Sequence, residues 1–291
     1  MSRSPLPPIA AMILILLAGG GLAGCGAVDL MPARDRGPYL AREAGWNWEL
    51  IDAGAFVLAT AQSPSMGSGG RLTVYIEGDG MAFTGSRTIS PDPTPERPVG
   101  LRLALRHPGP AAYIARPCQY TMEVAPRGCR PAYWTSGRYA ETVISSLGLA
   151  IDAMKRRSGA GSLVLIGYSG GGAAAALLAA RRTDVSGFVT VGANLDLGYW
   201  TARDHLAPLS GSLDPADAAA ALRTVPQVHF IGGRDEVVTP DVVASYRDRL
   251  GPAAALRVVE LPEFTHSCCW IDAWPDLLRR REFAVIPGWG G

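Results

Sequence analysis

The stretch Leu163-Val-Leu-Ile-Gly-Tyr-Ser-Gly-Gly-Gly172 carries the strongest local signal of fold and chemistry in this chain. It begins with a run of apolar, partly β-branched residues, which favours a buried strand. The run ends at Gly167, and residues 173–180, which come soon after it, are rich in alanine and have high helix propensity. The pattern predicts a strand, a sharp turn and a helix, with Ser169 at the tip of the turn.

A serine at the tip of such a turn is typical of a nucleophile. The small residues beside Ser169 permit the strained backbone of a tight turn, and the positive N-terminal end of the helix points at the serine. The alternative is a glycine-rich junction that binds phosphate or binds nothing, because the pattern G-x-S-x-G is weak evidence when it stands alone. A nucleophilic serine also needs a base and an acid that orients the base.

A histidine and an aspartate follow Ser169 in the order that such a triad needs. Asp235 lies in the loop after the strand-like residues 227–233, and His266 comes just after the strand-like residues 256–261. Each of the three residues thus lies just beyond a predicted strand. Order and placement both match the chain order serine, acid, histidine of the α/β hydrolases.

With these features, residues 46–278 resemble an α/β hydrolase. Three short motifs carry the resemblance: residues 167–171, 232–238 and 264–266. The resemblance implies that Ser169 attacks the substrate, that His266 transfers the proton and that Asp235 fixes the imidazole. It does not identify a substrate.

Two residues compete for roles in the triad. His205 lies in a loop that can reach the site and is the rival of His266, whereas Asp196 follows an earlier strand and is the rival of Asp235. Asp235 is favoured because its loop continues into residues 239–240, Thr-Pro, a good N-cap and first helical residue. The other two histidines are predicted to be structural, one in a surface turn and one inside a strand: His107 and His229.

A second tight turn, Gly78-Asp79-Gly80, directly follows a strong strand signal at residues 72–77. In α/β hydrolases the loop after the third strand supplies one backbone N–H to the oxyanion, and the residue after the serine, here Gly170, supplies the other. The resemblance therefore implies an oxyanion hole built from Gly170 and from Gly78 or Asp79. The chain departs from the His-Gly that is common in esterases, and the Asp79 carboxylate would repel an oxyanion if it pointed inward. An ordinary turn is the alternative.

Strand and helix signals alternate through most of the chain. The strand-like segments are residues 49–60, 72–77, 111–116, 163–167, 187–193, 227–233 and 256–261. The alternation predicts an α/β fold with a mainly parallel central sheet and helices on both faces. Residues 84–98, with four prolines, are predicted to be a loop. Residues 194–226 lie where α/β hydrolases insert caps, and Trp200 in this segment and Tyr168 beside the serine are the candidate substrate-pocket residues.

The N-terminus has the architecture of a signal peptide. Arg3 gives a short positive region, residues 9–18 are apolar, and residues 22–25, Leu-Ala-Gly-Cys, resemble the bacterial lipobox. In a lipobox the chain is cut before the cysteine, which is then acylated, so the resemblance makes Cys25 the lipid anchor. A simple secretory signal or a short membrane anchor is the alternative.

This interpretation divides the chain into a signal peptide at residues 1–24, a lipidated tether at residues 25–45 and a hydrolase domain at residues 46–291. The protein is expected on a bacterial membrane, facing the periplasm or the exterior. Gly26 follows the cysteine in place of the aspartate that signals retention in the inner membrane. In a host with two membranes the resemblance therefore favours the outer one.

Four cysteines remain after Cys25, and export to an oxidising compartment favours disulfides, for which three pairings exist. Cys118 and Cys129 bracket a loop and are the favoured pair. The adjacent Cys268 and Cys269 would form a bridge with each other, stay reduced, or pair with the first two. A metal site is the weaker alternative, because no Cys-x-x-Cys motif is present.

Composition limits the classes of function. The 291 residues suit one large α/β domain, and the net charge of +1 gives no electrostatic case for nucleic acid. No cofactor is expected. The sequence predicts a serine hydrolase that acts on a small-molecule or lipid-like acyl substrate, with a carboxylic ester as the default. A peptidase or an acyltransferase would use the same triad, and a non-catalytic binding lipoprotein on the same fold is the alternative from another class.

Overall fold

The computed structural model describes residues 28, 30–66 and 70–289. Within the described residues, 32–66 and 70–289 belong to one compact unit. The predicted signal peptide, the lipobox-like residues 22–25 and Cys25 lie outside the described residues. In the described part of the chain, no helix is long and apolar enough to span a membrane.

Eight strands form one sheet, and helices connect most of them. The strands are β1 (Asn47–Ala53), β2 (Phe56–Gln62), β3 (Arg71–Ile76), β4 (Ala111–Ile114), β5 (Ser162–Tyr168), β6 (Val185–Val191), β7 (Gln227–Gly232) and β8 (Leu256–Leu261). The α-helices are α1 (Ala33–Glu43), α2 (Val99–Ala104), α3 (Glu141–Ser158), α4 (Gly170–Ala179), α5 (Leu197–Arg203), α6 (Ala219–Leu222), α7 (Pro240–Leu250) and α8 (Trp270–Leu277). Short 3₁₀ helices span Pro131–Trp134, Pro215–Ala218 and Arg281–Val285.

The strand order across the sheet is β1-β2-β4-β3-β5-β6-β7-β8. β1 and β2 form an antiparallel hairpin, and β2 also pairs antiparallel with β4. Every neighbouring pair from β4 to β8 is parallel. The mainly parallel sheet that the sequence predicts is therefore confirmed.

Alternate side chains of the central strands pack on opposite faces of the sheet. In β3, Leu72 and Val74 belong to one apolar cluster, and Tyr75 belongs to a second cluster. In β5, Leu165 belongs to the first cluster and Val164 to the second. The first cluster includes side chains of α3, α4 and α7, and the second includes side chains of α2 and α8. Burial on both faces explains why these strands are continuous apolar runs in the sequence.

The residues that follow the parallel strands gather at one edge of the sheet. Gly78 and Asp79 come after β3, Ser169 after β5, Asp235 after β7 and His266 after β8. In open α/β sheets, ligands bind at this carboxyl edge of the strands. The topology therefore places the five residues on the side of the sheet where a site is expected.

The domain begins earlier than the sequence suggests. Residues 25–45 are predicted to be a tether, because Gly37 and Pro38 are poor helix residues, but most of this segment from residue 33 onward is helix α1, which packs against β1. A Cβ at Gly37 would approach the rings of Trp48 and Tyr120 to 2.8 Å. The absence of a side chain at Gly37 allows this close packing, which outweighs the low helix propensity of the two residues. The tether prediction is therefore wrong for α1.

Candidate active site

Ser169 lies at the tip of the turn between β5 and α4. Its backbone has φ 50° and ψ −125°, a conformation that L-residues rarely adopt. A Cβ at Gly171 would collide with the carbonyl oxygens of Ile76 and Glu77, so a glycine is needed for α4 to begin this close to β3. The N–H of Ser169 donates to the carbonyl oxygen of Val191 at 2.8 Å. The turn thus holds the serine at the carboxyl edge of the sheet.

Two consecutive hydrogen bonds connect Ser169 to a buried carboxylate. Nε2 of His266 lies 3.0 Å from Oγ of Ser169, and Nδ1 of His266 lies 2.9 Å from Oδ2 of Asp235. Asp235 is only 2% exposed, and its Oδ1 accepts the backbone N–H groups of Val237 and Val238 at 2.9 and 2.8 Å. Because an ionised carboxylate only accepts, it favours the tautomer with the proton on Nδ1. Nε2 is then free to accept the serine proton.

The backbone of His266 is fixed by two aromatic side chains. The hydroxyl of Tyr168 and the indole N–H of Trp270 each donate to the carbonyl oxygen of His266 at 3.0 Å. The ring of Tyr168 lies 5.5 Å from the imidazole, measured between centroids. Burial raises the pKa of Tyr168, so its hydroxyl remains a donor. The imidazole is therefore held from its backbone side as well as by Asp235.

The rival acid and base have other contacts. Asp196 caps α5 by accepting the N–H of Tyr199 at 2.9 Å, and its second oxygen accepts the hydroxyl of Ser245 at 2.7 Å. Within the described residues, Asp196 has no hydrogen bond to His266, and His205 has none to Ser169. The structure brings together Ser169, His266 and the favoured acid, Asp235.

The two remaining histidines contact structural partners. His229 lies inside β7 with Nδ1 2.7 Å from the hydroxyl of Thr190 and Nε2 3.0 Å from Oε1 of Gln227, and burial lowers its pKa to about 3. His107 lies 2.9 Å from the hydroxyl of Tyr75, and burial, with a smaller effect of a nearby arginine, lowers its pKa to about 4. His107 is half-buried in the irregular segment that follows α2, between the exposed Arg106 and Pro108. The turn therefore lies at the surface, as the sequence predicts, although the imidazole packs inward on Tyr75.

Two backbone donors are available beside Ser169. The N–H of Gly78 donates to Oε1 of Glu77 at 3.0 Å and is therefore occupied. By contrast, the N–H groups of Asp79 and Gly170 have no hydrogen-bond acceptor in the part of the chain that the structure describes. Of the two loop residues that the sequence nominates for an oxyanion hole, Asp79 has the free donor.

Glu77 anchors this loop to α2. Its carboxylate is 1% exposed and accepts the N–H groups of Gly100 and Leu101 at 2.9 and 3.1 Å and the hydroxyl of Tyr113 at 3.1 Å. Burial raises the pKa of Glu77, although the hydrogen bonds oppose the shift. The first residue after β3 is thus fixed by buried hydrogen bonds, which keeps the following loop in place.

The carboxylate of Asp79 is paired with two arginines. Oδ1 lies 3.1 Å from Nη1 of Arg116, Oδ2 lies 2.7 Å from Nη1 of Arg138, and the hydroxyl of Tyr139 donates at 3.3 Å. Burial acts to raise the pKa of Asp79, but the charges of Arg138 and Arg116 outweigh it and lower the pKa. A Cβ at Gly170 would overlap this carboxylate, so the carboxylate lies directly beside Gly170. The repulsion that the sequence suggests is therefore offset by two guanidinium groups.

A cavity of about 920 Å³ opens beside the triad, and both Tyr168 and Trp200 line it. Residues 206–209 of the segment predicted to be a cap also line it, as do residues 95–97 of the proline-rich loop. The indole N–H of Trp200 donates to the carbonyl oxygen of Val237 at 3.0 Å. Both segments therefore shape the space in front of Ser169.

The cavity wall includes polar residues that the sequence does not identify, among them Arg138 and Asn194. Asn194 comes soon after β6, at the same carboxyl edge as the triad, so its position after a strand is a usable signal. Arg138 lies in an irregular segment between the 3₁₀ helix Pro131–Trp134 and α3, where no motif marks it. Its position depends on contacts with distant parts of the chain.

The four described cysteines form two pairs, Cys118 with Cys129 and Cys268 with Cys269. The first pair is the one that the sequence favours. The second is the bridge between neighbours, one of the three states that the sequence leaves open for these cysteines. Among the described residues, no group of three or more histidine, cysteine and acidic side chains is arranged to hold a metal ion.

No family model and no curated protein matches the chain. Solved structures do match: the esterase Pf2001 from Pyrococcus furiosus superposes with a TM-score of 0.60 at 13% identity, over 86% of this chain and 95% of its own. Est1E from Butyrivibrio proteoclasticus gives 0.54 at 14% identity, over 79% and 95%. A proline iminopeptidase-related protein from Thermus thermophilus gives 0.54 at 15%, over 83% and 98%. Together with the sheet topology, these similarities show that the chain has the α/β-hydrolase fold.

Proposed function

We propose that this protein is a serine hydrolase that acts on an acyl carbonyl, with a carboxylic ester as its substrate. The observation that carries the proposal is the pair of hydrogen bonds from Ser169 through His266 to the buried Asp235. Nucleophile, base and orienting acid are within hydrogen-bond reach in the order that acyl transfer requires. A protein that only binds a ligand has no need of this arrangement.

In the first half of the proposed reaction, Oγ of Ser169 attacks the carbonyl carbon while Nε2 of His266 takes the hydroxyl proton. The carbonyl oxygen becomes an oxyanion, which the N–H groups of Gly170 and Asp79 stabilise. The imidazolium is stabilised by Asp235. When the tetrahedral intermediate collapses, His266 gives its proton to the leaving alcohol and the acyl group stays on Ser169.

In the second half, a water molecule replaces the alcohol. His266 takes a proton from the water, the resulting hydroxide attacks the acyl carbonyl, and the same two N–H groups stabilise the second oxyanion. Collapse of this intermediate releases the carboxylic acid and returns the proton to Ser169. An amide substrate or an acceptor alcohol would use the same groups.

Hydrolysis of p-nitrophenyl esters by the wild-type protein and by Ser169→Ala tests the proposal. Loss of the nucleophile should lower turnover by several orders of magnitude while the circular dichroism spectrum stays unchanged. Ser86→Ala is the matched control, because Ser86 is exposed and lines the same cavity. Equal turnover in Ser169→Ala and Ser86→Ala would refute the role of Ser169.

We also propose that the protein is a lipoprotein, held on a bacterial membrane through an acylated Cys25 and facing the periplasm or the exterior. The support is the sequence of residues 22–25 and the apolar stretch before it. Because lipid chains supply the membrane affinity, Cys25→Ser should leave the protein unacylated and extractable without detergent. A mature protein that retains its full N-terminus would contradict this proposal.

A further inference from the structure

Two arginines beside the reacting serine share one carboxylate. The side chains of Arg116 and Arg138 are 5% and 12% exposed, and both pair with Asp79. Among the described residues, Asp79 is the only carboxylate within ion-pair distance of either arginine. The cluster therefore has two positive charges and one negative charge. Because a buried charge without a partner is costly, the cluster is suited to receive one more anion.

The buried acid that precedes Asp79 by two residues does not supply that anion. Glu77 lies two residues before Asp79, but its carboxylate is directed to the backbone N–H groups of Gly100 and Leu101. Within the described residues it forms no ion pair with Arg116 or Arg138. The hydrogen bonds of Glu77 hold the loop, so Glu77 does not give the arginine pair a second carboxylate.

Arg138 is the member of the pair that a ligand can reach. Nε donates to the carbonyl oxygen of Thr135 at 2.8 Å and Nη1 donates to Asp79, which fixes the plane of the guanidinium. Nη2 has no acceptor among the described residues, and Arg138 lines the cavity. Arg116 does not line the cavity, and its Nη2 donates to the carbonyl oxygen of Arg138.

The rest of the cavity suits a ligand with one polar and one apolar part. Asn194 is 5% exposed, lines the cavity, and its Oδ1 has no hydrogen-bond partner among the described residues. This oxygen is an acceptor, and leaving it unpaired in the interior is costly unless a water molecule or a ligand N–H or O–H donates to it. Trp200, Leu209 and Val238 give the same cavity apolar surface. The wall thus combines a guanidinium, a free amide and apolar side chains.

We propose that the cavity binds esters that carry a carboxylate group, and that Arg138 binds this carboxylate through its free Nη2. The inference rests on the proposed hydrolase function and names the class of substrate. A carboxylate is the planar anion that a guanidinium binds through charge-assisted hydrogen bonds. Arg138 acts here on substrate binding, so its contribution belongs mainly in KM.

Two matched pairs of esters test the proposal, because the carboxylate can be on either side of the scissile bond. On the acyl side, p-nitrophenyl hydrogen adipate is compared with its methyl ester. On the alcohol side, meta-acetoxybenzoate is compared with methyl meta-acetoxybenzoate. In at least one pair, the wild-type protein should hydrolyse the acid with a kcat/KM about tenfold higher than that of the neutral ester, since one charge-assisted hydrogen bond is gained.

Three variants show whether Arg138 is the cause. Arg138→Gln should lose the preference for the acid, mainly through KM, and Arg138→Lys should retain part of it, because the charge remains. Arg97→Gln is the control and should keep the preference, since Arg97 lines the same cavity but is exposed. Labelling with a small fluorophosphonate verifies that each variant has a competent site. If Arg138→Gln does not fold, an unchanged preference in Arg138→Lys still contradicts the proposal.

The outcomes separate this proposal from the proposed function. If the neutral esters are hydrolysed and neither acid is preferred, the carboxylate site is refuted and the hydrolase function stands. The same conclusion follows if the preference survives in Arg138→Gln or disappears equally in Arg97→Gln. If the wild-type protein neither hydrolyses any of the four esters nor reacts with the fluorophosphonate, the hydrolase function itself is refuted.

Discussion

Nη1 of Arg138 lies 2.7 Å from Oδ2 of Asp79, although 59 residues separate them in the chain. This contact joins the segment before α3 to the loop that carries the proposed oxyanion donor, the N–H of Asp79. The negative charge of Asp79, which lies beside Gly170, is therefore neutralised, and the same ion pair fixes the position of the loop after β3. The ion pair between Asp79 and Arg138 should therefore affect the stability of the protein as well as its chemistry.

Removing the charge of Asp79 should destabilise the protein. Asp79→Asn leaves Arg116 and Arg138 without a carboxylate, and loss of one partner from a buried ion pair costs about 3 kcal/mol or more. Urea denaturation measures the change in the free energy of unfolding. Asp52→Asn is the control: Asp52 pairs with Arg127 on the surface, so its loss should have little effect. A change in Asp79→Asn as small as the one expected for Asp52→Asn would show that the Asp79 pairing is not a stabilising one.

Asp235→Asn should lower turnover far more than Asp196→Asn. An amide at position 235 favours the wrong tautomer of His266, which costs about four orders of magnitude in kcat in a serine protease triad. Asp196 caps α5, so its amide variant should remain active. Steady-state kinetics on a p-nitrophenyl ester compare the two variants. The reverse ranking would transfer the role of the acid to the loop after β6.

Trp200→Ala should change the preferred acyl chain length among p-nitrophenyl esters. Each methylene that packs on the indole contributes up to about 0.8 kcal/mol of binding. Reaction with a small fluorophosphonate should continue at the parental rate, because the triad is untouched. Tyr199→Ala is the control, since the hydroxyl of Tyr199 bonds to Asp241 at 2.8 Å and the residue does not line the cavity. If both variants keep the parental preference, the acyl group lies elsewhere in the cavity.

The free energy of unfolding should fall as the pH decreases below 6.5. Burial lowers the pKa of His229 from 6.5 to about 3, so between these values the unfolded chain binds a proton that the folded protein does not. The stability from neutral His229 is therefore present above pH 6.5 and lost towards pH 3. Between these pH values, the free energy of unfolding changes by up to about 1.4 kcal/mol per pH unit because of His229.

Urea titrations at several pH values measure this slope. His229→Gln should make it shallower, because the titrating group is gone, while His107 retains its own smaller contribution below pH 6.5. His205→Gln, at an exposed position, is the control. An identical slope in the wild-type protein and in His229→Gln would show that His229 does not cause the pH dependence of stability.

The parts of the fold and site that local signals encode could be predicted from the sequence. The apolar run before Gly167 marks β5, and the residues that follow strands, Ser169, Asp235 and His266, are the ones that the topology brings to one edge. This works because a parallel sheet aligns the carboxyl ends of its strands. Thr239 and Pro240 likewise mark the start of α7, because Thr is favoured at the N-cap and Pro at the first helical position.

Features that depend on distant contacts could not be predicted in this way. Arg138 is part of the site because it reaches Asp79, and its irregular segment has no periodicity. Helix α1 forms although it contains Gly37 and Pro38, since it packs on β1 and beside Trp48. In both cases tertiary packing decides the structure, and a single sequence does not show which distant residues meet.

The most direct test of the hydrolase proposal is to react the protein with a fluorophosphonate and locate the adduct by peptide mass spectrometry. Oγ of Ser169, activated by His266, should attack the phosphorus and displace fluoride, so the adduct should be on the peptide that contains Ser169. His266→Ala should slow the reaction greatly, and Ser169→Ala should abolish it. A protein that stays unlabelled, or that carries the label on another serine, contradicts the account.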